Sequence, residues 1–356
     1  MFFLRFKNYL YCSNINVSCY TKKNDMEKHR NFIEYGIVMN MNKISICQQD
    51  DLDKGIIERE YNEEYPCHIY FIIARPRITI VPEKCEFKKL IKLVFRIHIN
   101  TEYLEKEVLF DPPTNIDLSN VSIKSDYPFS TFRIIVDNQE LLFAKSSVYY
   151  TMHLRNHPDE INAELLYIGQ SYGKEGERKV SDRLKNHSTL QKIYSEISQK
   201  NPDKEIWLNL LSFEQIMHTS FDGLSGTSKK QKDDVKIVSN VMNKFVNKKL
   251  NEKEIINFTE AALIKYFKPK YNIMYKDIFP SIDHKSYKEA IELDINCVAF
   301  QLDTECINLK LYTEAVQPNF SNMVTYTFKS KQGKKNLFDM FDYTLIPNTY
   351  SNIKIE

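Results

Sequence analysis

The chain has 356 residues, of which 42% are hydrophobic and 27% charged, so it can build packed cores and is not a disordered protein. Its 49 Lys and Arg residues against 47 Asp and Glu give a net charge of +2, which excludes a protein that wraps nucleic acid by overall charge. No apolar run reaches the ~18–20 residues of a membrane helix, and charge interrupts the N-terminus too early for a signal peptide. We therefore expect a cytoplasmic protein with no membrane contact.

The N-terminal part of the chain divides into two regions by pattern. Residues 1–60 are polar and rich in Asn and Lys, which predicts a poorly structured region. Residues 61–146 are β-rich. Within them, the apolar run 68–73 predicts a buried strand, and the alternation of apolar residues over 91–99 predicts a half-buried one.

The middle of the chain, residues 147–275, carries most of the helical periodicity and five of the eight glycines. We predict strands at 147–153, 165–171 and 205–211, helices between and after them, and a polar loop over 214–231. Residues 276–356 are again β-rich and form either a separate piece or one that packs with residues 61–146.

Several residues of this middle region can carry chemistry. A hairpin of the first two strands would bring Tyr149 or Tyr150 beside Tyr167; adjacent strand residues point to opposite faces, so only one of the two can do so. Arg183 and His187 are four residues apart on a predicted helix and share a face.

Glu260 lies on an otherwise apolar helical stripe formed by Ile256, Leu263 and Phe267. Burying a carboxylate without a partner costs several kcal/mol or forces it to take up a proton. Glu260 therefore needs a cation beside it, either an arginine or a metal ion.

This ordered set resembles the GIY-YIG nuclease superfamily over residues 147–275. Tyr167-Ile168-Gly169 reproduces the YIG half, whereas the GIY half is matched only around Tyr149, with Tyr150 as the alternative. Further along the chain, three features match the family in order: the helix with Arg183 and His187, the helix segment 259–264 with Glu260, and the closing segment 268–272 with Asn272.

The resemblance implies an α+β fold in which a small antiparallel sheet is flanked by helices, with β-rich regions on either side. It also implies a role for each matched residue. By analogy these are Tyr149 as general base, Tyr167 as a positioning hydroxyl, Arg183 as phosphate clamp, His187 as hydrogen-bond or proton donor, Glu260 as ligand of Mg²⁺ or Mn²⁺, and Gly169 and Asn272 as supports of the site.

The charge distribution favours a nucleic-acid partner. Residues 164–275 contain 19 Lys and Arg against 14 Asp and Glu, although the whole chain is nearly neutral. Lys229, Lys230 and Lys232 in the polar loop could contact a phosphate backbone.

We therefore expect a metal-dependent endonuclease, with DNA as the expected substrate, whose β-rich flanks select the target, bind a protein partner or self-associate. The alternatives are an inactive module of the same type that binds nucleic acid without cutting it, and an interaction scaffold.

Overall fold

A computed structural model of the chain gives a mixed α+β, strand-rich fold. The residues that the structure describes are 33–112, 116–154, 157–171, 180–185, 187–221, 236, 239–240, 242–243, 252–276, 295–327 and 350–353. Among them, no helix is long and apolar enough to cross a bilayer.

The described strands, in chain order, are β1 (Ile33–Cys47), β2 (Ile69–Pro76), β3 (Ile78–Ile80), β4 (Glu86–Phe87), β5 (Ile91–Ile99), β6 (Glu102–Phe110), β7 (Val121–Lys124), β8 (Thr131–Val136), β9 (Gln139–Lys145), β10 (Ala163–Gln170), β11 (Lys204–Phe221), β12 (Ile295–Asp303), β13 (Leu311–Tyr312), β14 (Ser321–Thr327) and β15 (Tyr350–Ile353). The α-helices are α1 (Ile56–Glu60), α2 (Ser146–Met152), α3 (Val180–Lys185), α4 (Ser188–Lys200) and α5 (Glu252–Phe267).

Eight strands form one large sheet in the order β13-β10-β2-β11-β1-β12-β14-β15. Within it, β2 pairs antiparallel with β10 on one side and with β11 on the other. The apolar run that predicts a buried strand is confirmed, because Ile69–Ala74 of β2 is buried along its whole length. The sheet is nevertheless larger than the small one expected from the sequence.

The large sheet has a core on each face. On one face, α3 and α4 bury Leu184, Leu190 and Ile193 against β2 and β11. On the other, α5 buries Leu263 and Phe267 against β2, β10 and β12. The sheet is thus flanked by helices on both faces, and each face buries its apolar side chains against them.

Part of the region 1–60, which the sequence predicts to be poorly structured, forms the regular strand β1. This strand of 15 residues pairs antiparallel with β11 and parallel with β12, so it lies inside the sheet. The sequence hides it because Asn and Lys alternate with the apolar residues, whereas Ile37 and Met39 contribute to the core. The first 32 residues lie outside the described part of the chain.

Residues 77–161 form a module inserted between β2 and β10. It contains a sheet of β3, β4, β5 and β6 and a second sheet of β7, β8 and β9. Together with α2, these strands surround a third core that includes Leu93, Phe95 and Phe132. The alternating pattern that predicts a strand over 91–99 is confirmed by β5.

The β-rich C-terminal part extends the large sheet on both sides. β12 pairs with β1, β14 pairs with β12, and β13 pairs with β10. The described C-terminal strands therefore pair with the large sheet and not with the strands of the inserted module, as the sequence had left open.

Candidate active site

The predicted strand at 147–153 is wrong, because these residues form helix α2. Tyr149 and Tyr150 are buried in the core of the inserted module. The ring of Tyr150 lies 5.3 Å from that of Phe95, and the ring of Tyr149 lies 5.2 Å from that of Phe132. These aromatic contacts stabilise a helix that places both tyrosines in the core of the inserted module. Neither tyrosine packs with Tyr167.

The tyrosine that lies beside Tyr167 is Tyr70 on β2. Their ring centroids are 6.2 Å apart. In the antiparallel pairing of β2 with β10, Tyr70 lies directly opposite Gly169. A Cβ atom at Gly169 would overlap the Tyr70 hydroxyl and lie 2.8 Å from Cε1 of Tyr167. Gly169 therefore allows the two tyrosine rings to meet over the backbone of β10.

A β-bulge in β10 sets the direction of Tyr167. The register with β2 shifts between Leu165 and Tyr167, so that Leu166 and Tyr167 both pack against the core beneath α3 and α4. Bulges commonly redirect a side chain in this way next to functional sites. Tyr167 remains half-buried, whereas Tyr70 is fully buried.

His187 joins the two tyrosines to the start of α4. Its Nδ1 accepts a hydrogen bond of 3.1 Å from the backbone N–H of Leu190 and caps the helix. The proton of the neutral ring therefore resides on Nε2, which donates to the Tyr70 hydroxyl over 3.0 Å. Burial and the positive charge of Arg183 both lower the pKa of His187, so the ring is neutral at physiological pH.

Arg183 on α3 brings a positive charge to the tyrosine hydroxyls. Burial opposes its charged form, but the interactions with Tyr70 and Glu260 outweigh burial and raise the pKa of Arg183. Its Nε atom is shielded from water and has no hydrogen-bond partner among the described residues. A buried guanidinium N–H without an acceptor is a ready binding position for an anionic oxygen.

Glu260 on α5 completes the group from the other face of the sheet. Burial raises its pKa to about 7, although Arg183 and the backbone N–H of Gln170 favour the charged form. Burial raises the pKa of Tyr167, and the charge of Glu260 raises it further, whereas a hydrogen bond from Tyr70 lowers it. Tyr70, Tyr167, Arg183, His187 and Glu260 thus form one electrostatically connected site.

The fit of this site to a divalent cation depends on Glu260. No group of three or more His, Cys, Asp and Glu residues that could hold a metal ion occurs in the described part of the chain. Mg²⁺ is usually held by one or two carboxylates together with water and substrate oxygens, so a single half-buried carboxylate is sufficient. A pKa near 7 also means that a bound cation would relieve a carboxylate that burial disfavours.

Asn272 supports the site from the end of α5. Its side-chain amide accepts from the N–H of Ile168 over 2.9 Å and donates to the carbonyl of the same residue over 2.8 Å. It therefore acts as a short strand partner for β10 between the two site residues Tyr167 and Gly169. The loop lysines Lys229, Lys230 and Lys232 lie outside the described residues.

Tyr70 is the site residue that sequence reasoning missed. The signal was present, because His68-Ile69-Tyr70 contains the last two letters of the GIY half at the start of a buried strand. The inserted module separates this strand from β10 by the length of a small domain, and the strand-like segment nearest to Tyr167 in sequence is instead 147–153.

Comparison with known proteins adds no relative: no protein-family model, no curated protein and no solved structure matches the chain at a significant level.

Proposed function

We propose that the chain is a metal-dependent endonuclease of the GIY-YIG type, which hydrolyses phosphodiester bonds of DNA. The observation that carries this proposal is the convergence of two tyrosines, a histidine and an arginine with an orphaned Nε beside one half-buried carboxylate. Tyr70 replaces Tyr149 as the tyrosine of the GIY half, and Asn272 and Gly169 keep the supporting roles expected of them.

Each residue has a role that follows from its surroundings. Arg183 binds the scissile phosphate through its guanidinium, whose charged form is favoured by Tyr70 and Glu260. Glu260 holds Mg²⁺ or Mn²⁺, which supplies positive charge for the leaving oxygen when it is bound.

The proton of the attacking water passes to Tyr167. Tyr167 is half-buried and can meet water, whereas Tyr70 is fully buried and its pKa is raised further by burial. The charge of Arg183 and a hydrogen bond from Tyr70, whose hydroxyl accepts from His187 Nε2, favour a phenolate on Tyr167 against burial and the charge of Glu260, which raise its pKa. Tyr70 and His187 are thus positioning residues for Tyr167.

Nicking of a supercoiled plasmid in Mg²⁺ or Mn²⁺ tests the proposal. We expect cutting by the wild-type chain and its loss in Glu260→Gln and Arg183→Gln. Glu164→Gln is the matched control, because Glu164 lies on β10 and is paired with Lys204 rather than with the site. Mg²⁺ should also raise the Tm of the wild type but not of Glu260→Gln. Equal nicking by all four proteins would remove the assignment.

A second candidate function is nucleic-acid binding without cleavage. It is favoured by the pKa values of Tyr70 and Tyr167, which burial raises in both cases and which therefore oppose a phenolate. Salt-dependent DNA binding together with an absence of cutting in Mg²⁺, Mn²⁺ and Co²⁺ would select this function. Wild-type nicking that depends on Glu260 would exclude it.

A further inference from the structure

The segment that follows α5 is fixed to the large sheet at two consecutive residues. The N–H of Tyr271 donates to the carbonyl of Leu166 over 3.0 Å, and its hydroxyl donates to Glu196 over 2.8 Å. Asn272 is held to Ile168 by two hydrogen bonds. The chain is therefore held in one position immediately before it leaves the sheet.

Two apolar side chains project from this fixed position. Ile273 is 93% exposed and Met274 is 66% exposed. The next residue, Tyr275, has a positive φ of 68° and packs back against the core under α5. Asn272, the residue before the apolar pair, is bonded to Ile168 between Tyr167 and Gly169, so the pair lies next to the proposed active site.

Lysines surround the base of this apolar pair. The ammonium groups of Lys270 and Lys192 lie 5.6 and 6.0 Å from the centre of the Tyr271 ring. Lys192 and Lys200 lie 3.8 and 3.9 Å from Glu196. Two exposed lysines thus share Glu196 and a third lies over the Tyr271 ring, so lysines outnumber the acidic side chain among these contacts.

We propose that Lys192, Lys270 and the pair Ile273-Met274 form the surface that receives a DNA duplex next to the cleavage site. This inference rests on the proposed function and adds to it the way in which the substrate is held. The lysines contact backbone phosphates, and the apolar pair packs against base edges or enters a base step, as apolar wedges do in proteins that deform DNA.

The chemistry of the surface favours this occupant. A duplex presents a line of negative charge beside apolar base faces, which is the pattern that the lysines and the apolar pair would complement. Lys192 lies on α4, which is capped by the site residue His187, and Lys270, Ile273 and Met274 follow α5, which carries Glu260. A phosphate chain lying along the lysines can therefore continue towards Arg183.

Binding of a short fluorescein-labelled duplex, measured by anisotropy over a KCl series in Ca²⁺, tests the inference. Lys192→Gln with Lys270→Gln should reduce the slope of log K against log salt by about 2, because each lost phosphate contact removes about 0.9. Ile273→Ser with Met274→Ser should weaken binding about tenfold at every salt concentration without changing the slope. All four residues are exposed, so these variants should fold.

Matched substitutions in the inserted module serve as controls. Lys88→Gln with Lys106→Gln removes two exposed lysines, and Leu141→Ser removes an exposed apolar residue. Both should bind as the wild type does. The inference is overturned if the wild type does not bind the duplex, or if the surface variants bind like the controls.

The same proteins separate this inference from the proposed function. A chain that nicks plasmid in Mg²⁺ but binds DNA independently of Lys192, Lys270 and Ile273 would keep the function and lose the surface. A chain that binds through these residues but does not nick would keep the surface and lose the nuclease function.

Discussion

The tyrosine pair Tyr70 and Tyr167 and the tyrosine pair Tyr149 and Tyr150 differ mainly in the charged groups around them. Burial alone raises the pKa of Tyr149 to about 12, and burial with a distant carboxylate does the same for Tyr150. Tyr70, by contrast, interacts with Arg183 and receives a hydrogen bond from His187. Tyr149 and Tyr150 are thus core residues, whereas Tyr70 and Tyr167 are candidate site residues.

The neighbours of a motif residue therefore identify a site better than the motif letters do. Val148-Tyr149 matches the tripeptide GIY in its tyrosine, with Val148 in the place of isoleucine, and Ile69-Tyr70 matches it in two letters. Only Ile69-Tyr70 lies on a strand that pairs with the strand of Tyr167. The comparison leads to four predictions.

The largest effect is expected from removal of single hydroxyl groups. Tyr167→Phe should slow plasmid nicking by roughly 10²- to 10⁴-fold, which is the range for a lost proton-transfer group, and Tyr70→Phe should slow it as well because it removes the hydrogen bond to Tyr167. Tyr149→Phe and Tyr150→Phe should leave the rate unchanged, because their hydroxyls lie in the module core. Single-turnover rates measure this contrast. A loss of activity in Tyr149→Phe or Tyr150→Phe instead would support the role that the sequence predicts for Tyr149.

Gly169→Ala should destabilise the protein by about 3 kcal/mol, because its Cβ would overlap the Tyr70 hydroxyl. Urea unfolding measures the free energy of unfolding. The same substitution in a Tyr70→Ala background should be milder, since the hydroxyl and Cζ that the Cβ would overlap are both absent. If the two backgrounds lost the same stability, the close approach of Tyr70 to Gly169 would not be the cause.

Stability in acid should depend on His157, which packs at the edge of the inserted module. Burial lowers its pKa from 6.5 to about 4, and its ring lies 5.3 Å from that of Phe320. Between these two values the unfolded chain binds a proton that the folded chain does not, so stability falls as the pH is lowered from 6.5 to 4, by about 2–3 kcal/mol.

His157→Gln should remove much of this fall in stability, measured as Tm against pH. His218→Gln, at an exposed position on β11, is the control and should keep the wild-type profile. An unchanged profile in His157→Gln would show that other groups control acid unfolding.

The smallest effect is expected from the cap at the start of α4. His187→Ala removes the side chain that accepts from Leu190 and should cost about 1 kcal/mol, whereas His187→Asn retains a capping acceptor and the stability. Both variants lose the bond to Tyr70, so both should cut more slowly. If Asn restored activity as well as stability, His187 would be only a cap.

Much of the candidate site could be predicted from the sequence, because its signals are local. Tyr167 and Gly169 lie on one strand, and Glu260 interrupts an apolar stripe. Arg183 and His187 are close in sequence, but the prediction that they share one helix is wrong, because Arg183 lies on α3 and His187 is the N-cap of α4. The structure brings these residues together. Their proposed roles depend on the activity measurements above.

The position of Tyr70 could not be predicted with the same rules, because it depends on pairing between strands that are distant in sequence. The segment with Tyr149 and Tyr150 is rich in β-branched and aromatic residues, which favours a strand locally. Packing against Phe95 and Phe132 overrides that preference and produces a helix. Similarly, the place of β1 in the sheet is determined by its partners β11 and β12 and not by its polar composition.

The inserted module is attached through two strands that are direct neighbours in the sheet. Ala74 near the end of β2 lies opposite Glu164 near the start of β10. Adjacent strands are only about 5 Å apart, so a tight turn could join the same two points. The segment between them can therefore be exchanged, lengthened or deleted during evolution as a cassette, while the register that sets Tyr70 opposite Gly169 is preserved.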